Sequence, residues 1–154
     1  KKIAPTLILP SKRTTYTEII DTAKIIAKVV GKSKKMQKRL LDHDNYLNMM
    51  TNHFPKNIEL QVSIARDYRF FLYTADSFIA EVIEKLGLNY AKNFKDDKAP
   101  RYASFEQLLA INPQYLILGE YIKPSIISKW QKEPLWSILK CAQNGHLINE
   151  FLVI

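Results

Sequence analysis

Apolar positions along this chain change period several times, and each change marks an element. Between Thr15 and Gly31 they recur at Tyr16, Ile19, Ile20, Ala23, Ile26, Ala27 and Val30, the spacing of an amphipathic helix. Thr15 and Glu18 form a capping box at its start, and Gly31 supplies its stop. Ser33 is read as the cap of a second helix, with Met36, Leu40, Leu47, Met50 and Phe54 on one stripe and Pro55 at its end. The period then drops to two. Ile58, Leu60, Val62 and Ile64 alternate with Glu59, Gln61 and Ser63, which predicts a strand with only one face in a core. A shorter strand over Arg69 to Tyr73 follows. Asp76-Ser77-Phe78 opens a helix carrying Phe78, Val82, Ile83 and Leu86, closed by Gly87.

The second half of the chain centres on Ser104 to Gly119. Ser104 caps a short helix and Gln107 reaches back to the cap. Pro113 stops it, and Asn112 before the proline is expected to turn to extended geometry. Tyr115 to Leu118 has strand length and no polar face, so it belongs inside a covered, mostly parallel sheet. Pro124 is read as the start of a helix toward Trp130. Pro134 starts another through Trp136, Ile138, Leu139 and Ala142, since proline suits the first helical position. Asn144-Gly145 turns into a strand from His146 to Asn149. Ile3 to Leu9, broken by Pro5 and closed by Pro10, reads as an extended entry segment. Tyr90 to Tyr102 is the most polar and least periodic stretch and reads as a long surface loop. Helices alternating with buried strands imply an α/β fold: a three-layer, Rossmann-like arrangement with a mostly parallel central sheet flanked by helices and preceded by a long helix.

Composition narrows the function. The 154 residues are near the size of one domain. No apolar run approaches the roughly 20 residues that span a bilayer. Lys1-Lys2-Ile3-Ala4-Pro5 has neither an apolar core nor a cleavage site, so nothing here is expected to be a signal peptide. Cys141 is the only cysteine, which forbids an internal disulfide and suits a small buried hydrophobe. The net charge of +8 invites a nucleic-acid or anionic-ligand reading. Lys24, Lys28, Lys32, Lys34, Lys35, Lys38 and Arg39, with no acid among them, account for seven of those eight charges. A solvated basic face on two helices explains them, and no aromatic residue interleaves there as a single-strand nucleic-acid platform requires.

Catalytic signals are lacking. There is no phosphate loop, nucleophile elbow or paired metal motif, and the chain holds four glycines. His43, His53 and His146 fall in separate elements, and Asp42-His43-Asp44 point in divergent directions on a helix. The chain is therefore not expected to be an enzyme. In open parallel sheets, ligands bind outside the carboxyl ends of strands. That rule selects Arg66 to Tyr68, Gly119 to Tyr121, and Glu150 to Phe151. Arg66 offers a fork of donors suited to anionic oxygens, with a surface ion pair to Asp67 or Asp76 as the competing reading. Tyr68, Tyr73 and Tyr121 suit a pocket wall of apolar rings with polar tips, or plain packing.

Three stretches resemble a known family. They are Ser-x-Glu-x-Leu-x-x-x-Asn-Pro-x-x-Leu-Ile from Ser104, then Val-Ser-Ile-Ala-Arg with Leu-Tyr-x-x-x-Ser-Phe-x-x-x-Val-x-x-x-Leu-Gly-Leu from Val62, and Pro-Leu-Trp-x-x-Leu-Lys-x-x-x-Asn-Gly-x-Leu from Pro134. Together they resemble the C-terminal lobe of the class III periplasmic substrate-binding proteins of bacterial ABC importers for iron-siderophores, haem and cobalamin. The resemblance implies that residues 1–10 end a missing N-terminal lobe, that 14–31 form the spine helix between lobes, and that 32–154 form a C-terminal lobe without its final helix. It implies a ferric siderophore as ligand, with haem or cobalamin as alternatives, and no covalent cofactor or metal site. Arg66, Tyr68, Tyr73, Tyr121 and Phe151 would face the ligand, while Glu106 would dock on the membrane permease. The protein would work outside the cytoplasm, periplasmic or lipid-anchored, without nucleic acid as a partner. A basic module for nucleic acid or an anionic surface is the reading of a different class.

Overall fold

The structure, a computed structural model, describes residues 6–9, 15–55, 57–91 and 101–151. Residues 3–5 of the expected entry segment and 92–100 of the expected loop from Tyr90 to Tyr102 lie outside those residues.

Strand β1 (Glu59–Ala65) is the middle of a six-stranded sheet. It pairs antiparallel with β2 (Phe70–Leu72) and parallel with both β3 (Asn89–Tyr90) and β5 (Tyr115–Glu120). At the edges, β4 (Arg101–Tyr102) runs antiparallel to β2, and β6 (Leu147–Phe151) runs parallel to β5. Register places Ala65, Phe70, Leu116 and Leu118 on one face. There they pack with Leu108 of α4 (Phe105–Ile111), Ile127 and Trp130 of α5 (Ile126–Trp130), and Cys141 of α6 (Lys140–Gln143). On the other face, Leu60 and Val62 pack with Ala80 and Ile83 of α3 (Phe78–Lys85) and with Leu88 and Tyr90. The outcome is the three-layer α/β arrangement that the periodicity implied.

Central placement overturns one expectation about β1. Gln61 and Ser63, read as its solvent face, are both fully buried, because helices cover the sheet on that side as well. Burial demands partners for a polar group. The Gln61 amide nitrogen lies 2.7 Å from the Val62 carbonyl, 2.9 Å from that of Tyr73 and 2.9 Å from the Tyr90 hydroxyl. The Tyr90 hydroxyl in turn donates to the Tyr73 carbonyl at 2.9 Å. Burial pushes the Tyr90 phenol strongly upward, so it stays protonated as a donor. Tyr90 is thus a core residue rather than the start of a loop.

Helix ends follow local chemistry closely. Thr15 and Ser104 close the capping boxes of α1 (Tyr16–Val29) and α4, and Ser77 caps α3. Gly31, Gly87 and Gly145 all take positive φ at the stops foreseen for them. Other boundaries shift. Ser33 is the first residue of α2 (Ser33–Thr51) rather than its cap; Lys32 occupies the cap position without a side-chain hydrogen bond. Asn112 leaves α4 in the left-handed region, φ 45°, rather than extended, and its Oδ1 accepts the Lys140 amide at 2.8 Å. Asparagine tolerates that region, and the bond ties α4 to α6. Pro124 precedes α5, whose cap is Ser125. The stretch from Pro134 is split, because Leu139 is extended between a 3-10 turn over Pro134–Ile138 and α6. The last strand begins at Leu147.

Candidate functional site

The carboxyl ends of β1 and β5 lie side by side, with Ala65 opposite Glu120. Arg66 is the first residue beyond β1, and its backbone is held on both sides. Its amide donates to the Arg69 carbonyl at 2.8 Å, closing the turn into β2, and its carbonyl accepts the Ile126 amide at 2.7 Å from the start of α5. The adjacent corner is held by Glu120, a nearly buried carboxylate that accepts a short hydrogen bond from the Ser125 hydroxyl. The same hydroxyl accepts the Ile127 amide at 3.3 Å, capping α5. Lys123 Nζ approaches Glu120 to 4.0 Å from the solvent side.

On this frame the Arg66 guanidinium sits 5.4 Å from the Tyr121 ring centre and 5.8 Å from that of Phe71. Both are within cation–π range. Among the described residues it has no carboxylate partner, so the ion pair to Asp67 or Asp76 is not formed. The side chain is exposed and ready for an external anion. Tyr73 is half-buried nearby. Burial first, and the neighbouring Tyr121 second, push its phenol above the ordinary value, which keeps it a donor at neutral pH.

A second cation stands beside the first. The Arg69 guanidinium lies 4.9 Å from the Tyr68 ring and 5.5 Å from the Tyr102 ring, and it donates to the Tyr102 hydroxyl at 2.8 Å. The Tyr102 phenol, then that of Tyr68, raise its pKa further. Tyr102 also packs on Phe71, 4.3 Å between ring centres, joining the two groups into one wall. The structure therefore brings Arg66, Tyr73 and Tyr121 together and places Tyr68 on Arg69, at the outer part of the same wall. Phe151 closes β6 opposite Glu120 in the backbone register, and its side chain lies outside the described residues. Glu106 is exposed in the first turn of α4, which starts at this end of the sheet because the Ala103 amide donates to the Phe70 carbonyl at 3.0 Å. Hydrogen bonds from Ser104, then from its own amide, hold its carboxyl below the ordinary range.

Arg69, Phe71 and Tyr102 escaped the sequence reading. Alternation along β2 puts Phe71 and Tyr73 on one face, a signal present in the sequence. Tyr102 joins only through pairing of β2 with β4, which no local pattern announces. Among the described residues no group of three or more His, Cys, Asp or Glu could hold a metal. The wall offers guanidiniums, phenols and ring faces, groups that suit anionic oxygens. It is an open surface. Open grooves of about 510 and 360 Å³ run along α1 and α2.

A family model described as periplasmic binding protein matches residues 1–149. The chain is 36% identical over 143 residues to the Fe(3+) dicitrate-binding periplasmic protein of Escherichia coli (strain K12), covering 93% of this chain and 47% of that protein. It is 35% identical over 149 residues to a Fe(3+)-citrate-binding protein of Bacillus subtilis (strain 168), covering 96% of this chain and 47% of that one. The chain thus spans about half the length of these relatives. In shape it is similar to the Bacillus subtilis triscatecholate siderophore binding protein solved with ferri-bacillibactin, with a TM-score of 0.68 at 21% identity over 86% of this chain and 50% of that chain.

Proposed function

Since this chain belongs to the periplasmic binding protein family, we propose that it is the C-terminal lobe of the substrate-binding component of an ABC importer, with residues 1–10 ending an N-terminal lobe and 14–31 forming the helix between the two. The ligand is a ferric siderophore held in the cleft between the lobes, and the complete protein delivers it to a membrane permease outside the cytoplasm. The observation that carries this reading is Arg66: pinned through its backbone at the carboxyl ends of β1 and β5, backed by two aromatic rings, and without a carboxylate partner among the described residues. Arg69 doubles the positive charge of the wall, and Tyr73 and Tyr121 add donors. That chemistry favours an anionic, oxygen-rich chelate over haem or cobalamin, and two relatives named for ferric citrate support the carboxylate-rich end of that class.

In the complete protein, Arg66→Ala removes charge-assisted hydrogen bonds and weakens binding of ferric dicitrate by roughly tenfold to a hundredfold. Folding stays intact, because the side chain supports no core packing. Fluorescence titration with ferric dicitrate, a ferric catecholate, a ferric hydroxamate, haem and cobalamin, alongside thermal melts, is the test. Unchanged affinity across the panel, or tightest binding of haem or cobalamin, would sink the reading. Glu106 is assigned to permease docking: Glu106→Ala leaves ligand affinity unchanged and impairs uptake, and normal uptake would return it to a helix-end charge.

A further inference from the structure

Glu120 ends β5 with only 5% of its surface exposed, and Ser125, whose hydroxyl donates to it, is 3% exposed. Enclosing a carboxylate costs free energy that its hydrogen bonds must offset, and apolar packing already holds this corner without it. Leu116 and Leu118 bury β5, and Ile127 and Trp130 seat α5 in the same core. What the pair adds is position. In the β1–β5 register Glu120 lies opposite Ala65, the residue before Arg66, and it directly precedes Tyr121, whose ring centre is 5.4 Å from the Arg66 guanidinium. From Glu120 the hydrogen bonds run to Ser125, whose hydroxyl also accepts the Ile127 amide at 3.3 Å. Between Ser125 and Ile127, Ile126 donates its amide to the Arg66 carbonyl at 2.7 Å. One buried carboxylate thus stands at the root of both the Tyr121 turn and the grip on Arg66.

We propose that the Glu120–Ser125 pair positions the Arg66 wall: without touching the ligand, it fixes the Ile126 amide against Arg66 and Tyr121 beside the guanidinium, and so raises affinity for an anionic ferric chelate. The proposal rests on Arg66 being a ligand residue. A guanidinium whose backbone and backing ring are held in place before the ligand arrives loses less conformational entropy on binding than one ordered only then. Lys123 Nζ stands 4.0 Å from Glu120 Oε2 and offsets a negative charge that would otherwise oppose the same anion.

Measurements on the full-length polypeptide test each link. Without ligand, Ser125→Ala speeds hydrogen exchange at the Ile126 amide, while the Leu116 amide, bonded to the His146 carbonyl at the far end of β5, stays protected. In fluorescence titration with ferric dicitrate, Ser125→Ala and Glu120→Ala each weaken binding by roughly twofold to tenfold, the cost of ordering one freed side chain. Glu120→Gln, whose amide oxygen still accepts the Ser125 hydroxyl, binds at least as tightly as the unaltered protein. In an Arg66→Ala background, Ser125→Ala produces no further loss, because the pair acts through Arg66. Unchanged exchange at Ile126, losses that add in the double variant, or Glu120→Gln as weak as Glu120→Ala overturns the proposal. Weakening by Arg66→Ala but not by Ser125→Ala removes the positioning role alone, whereas unaltered affinity in Arg66→Ala removes the ligand reading of Arg66 and this proposal with it.

Discussion

Arg66 and Arg39 are both exposed guanidiniums, yet one stands at the end of fully buried strand residues and the other on a helix without a buried residue. Behind Arg66 lie β1 and β5, whose Leu116 and Leu118 are fully buried, and the start of α5 grips its carbonyl. Arg39 rides on α2, a 19-residue helix with no buried residue at all. A side chain fixed from behind can meet a ligand with little loss of conformational entropy, which suits recognition of one defined molecule. A cation on a helix with no buried residue keeps its conformational freedom, and fixing it against a ligand costs more of that freedom.

The sharpest way to break this comparison is to remove packing from each side. Leu118→Ala should cost about 2–5 kcal/mol, the range for a buried leucine whose cavity collapses only in part. Leu41→Ala, 61% exposed on α2, should stay within about 0.5 kcal/mol. Equal losses in urea denaturation would mean that α2 is as firmly packed as the sheet. Gln61→Ala comes next, at about 1–3 kcal/mol, because it strands the carbonyls of Val62 and Tyr73 and the Tyr90 hydroxyl without that donor. A neutral result there would show that water replaces the amide and that β1 is less enclosed than its burial indicates.

Capping gives a smaller contrast. Ser104→Ala removes one half of a capping box and should cost about 1 kcal/mol, whereas Lys32→Ala removes no side-chain bond at the start of α2 and should be close to neutral. Thermal melts of the two variants measure the difference. The smallest effect belongs to Glu106. Its folded pKa is lowered, so its contribution is present above the ordinary glutamate range and is lost as pH falls through the lowered value. The carboxyl resonance of Glu106, followed by NMR against pH, should titrate below the ordinary range, and Ser104→Ala should move it back upward. A titration unchanged by Ser104→Ala would remove the hydroxyl as the cause.

Sequence alone determined what is local. Capping boxes at Thr15 and Ser104, the cap at Ser77 and the stops at Gly31, Gly87 and Gly145 are decided within a few residues by backbone groups that must be satisfied or by a φ that glycine adopts without strain. The apolar run from Tyr115 announced a strand covered on both faces, and the strand-end rule located Arg66 and Tyr121. Tertiary structure decided the rest. The alternation in β1 told which side chains share a face but not what lies against that face, so Gln61 and Ser63 read as solvated until α4, α5 and α6 covered them. Arg69 meets Tyr102 across 33 residues of chain, and Ser125 meets Glu120 because a turn folds α5 back over β5. Those encounters depend on strand order and on which helix covers which face, and periodicity carries no information about either, since it records each element's own faces and never its neighbour's.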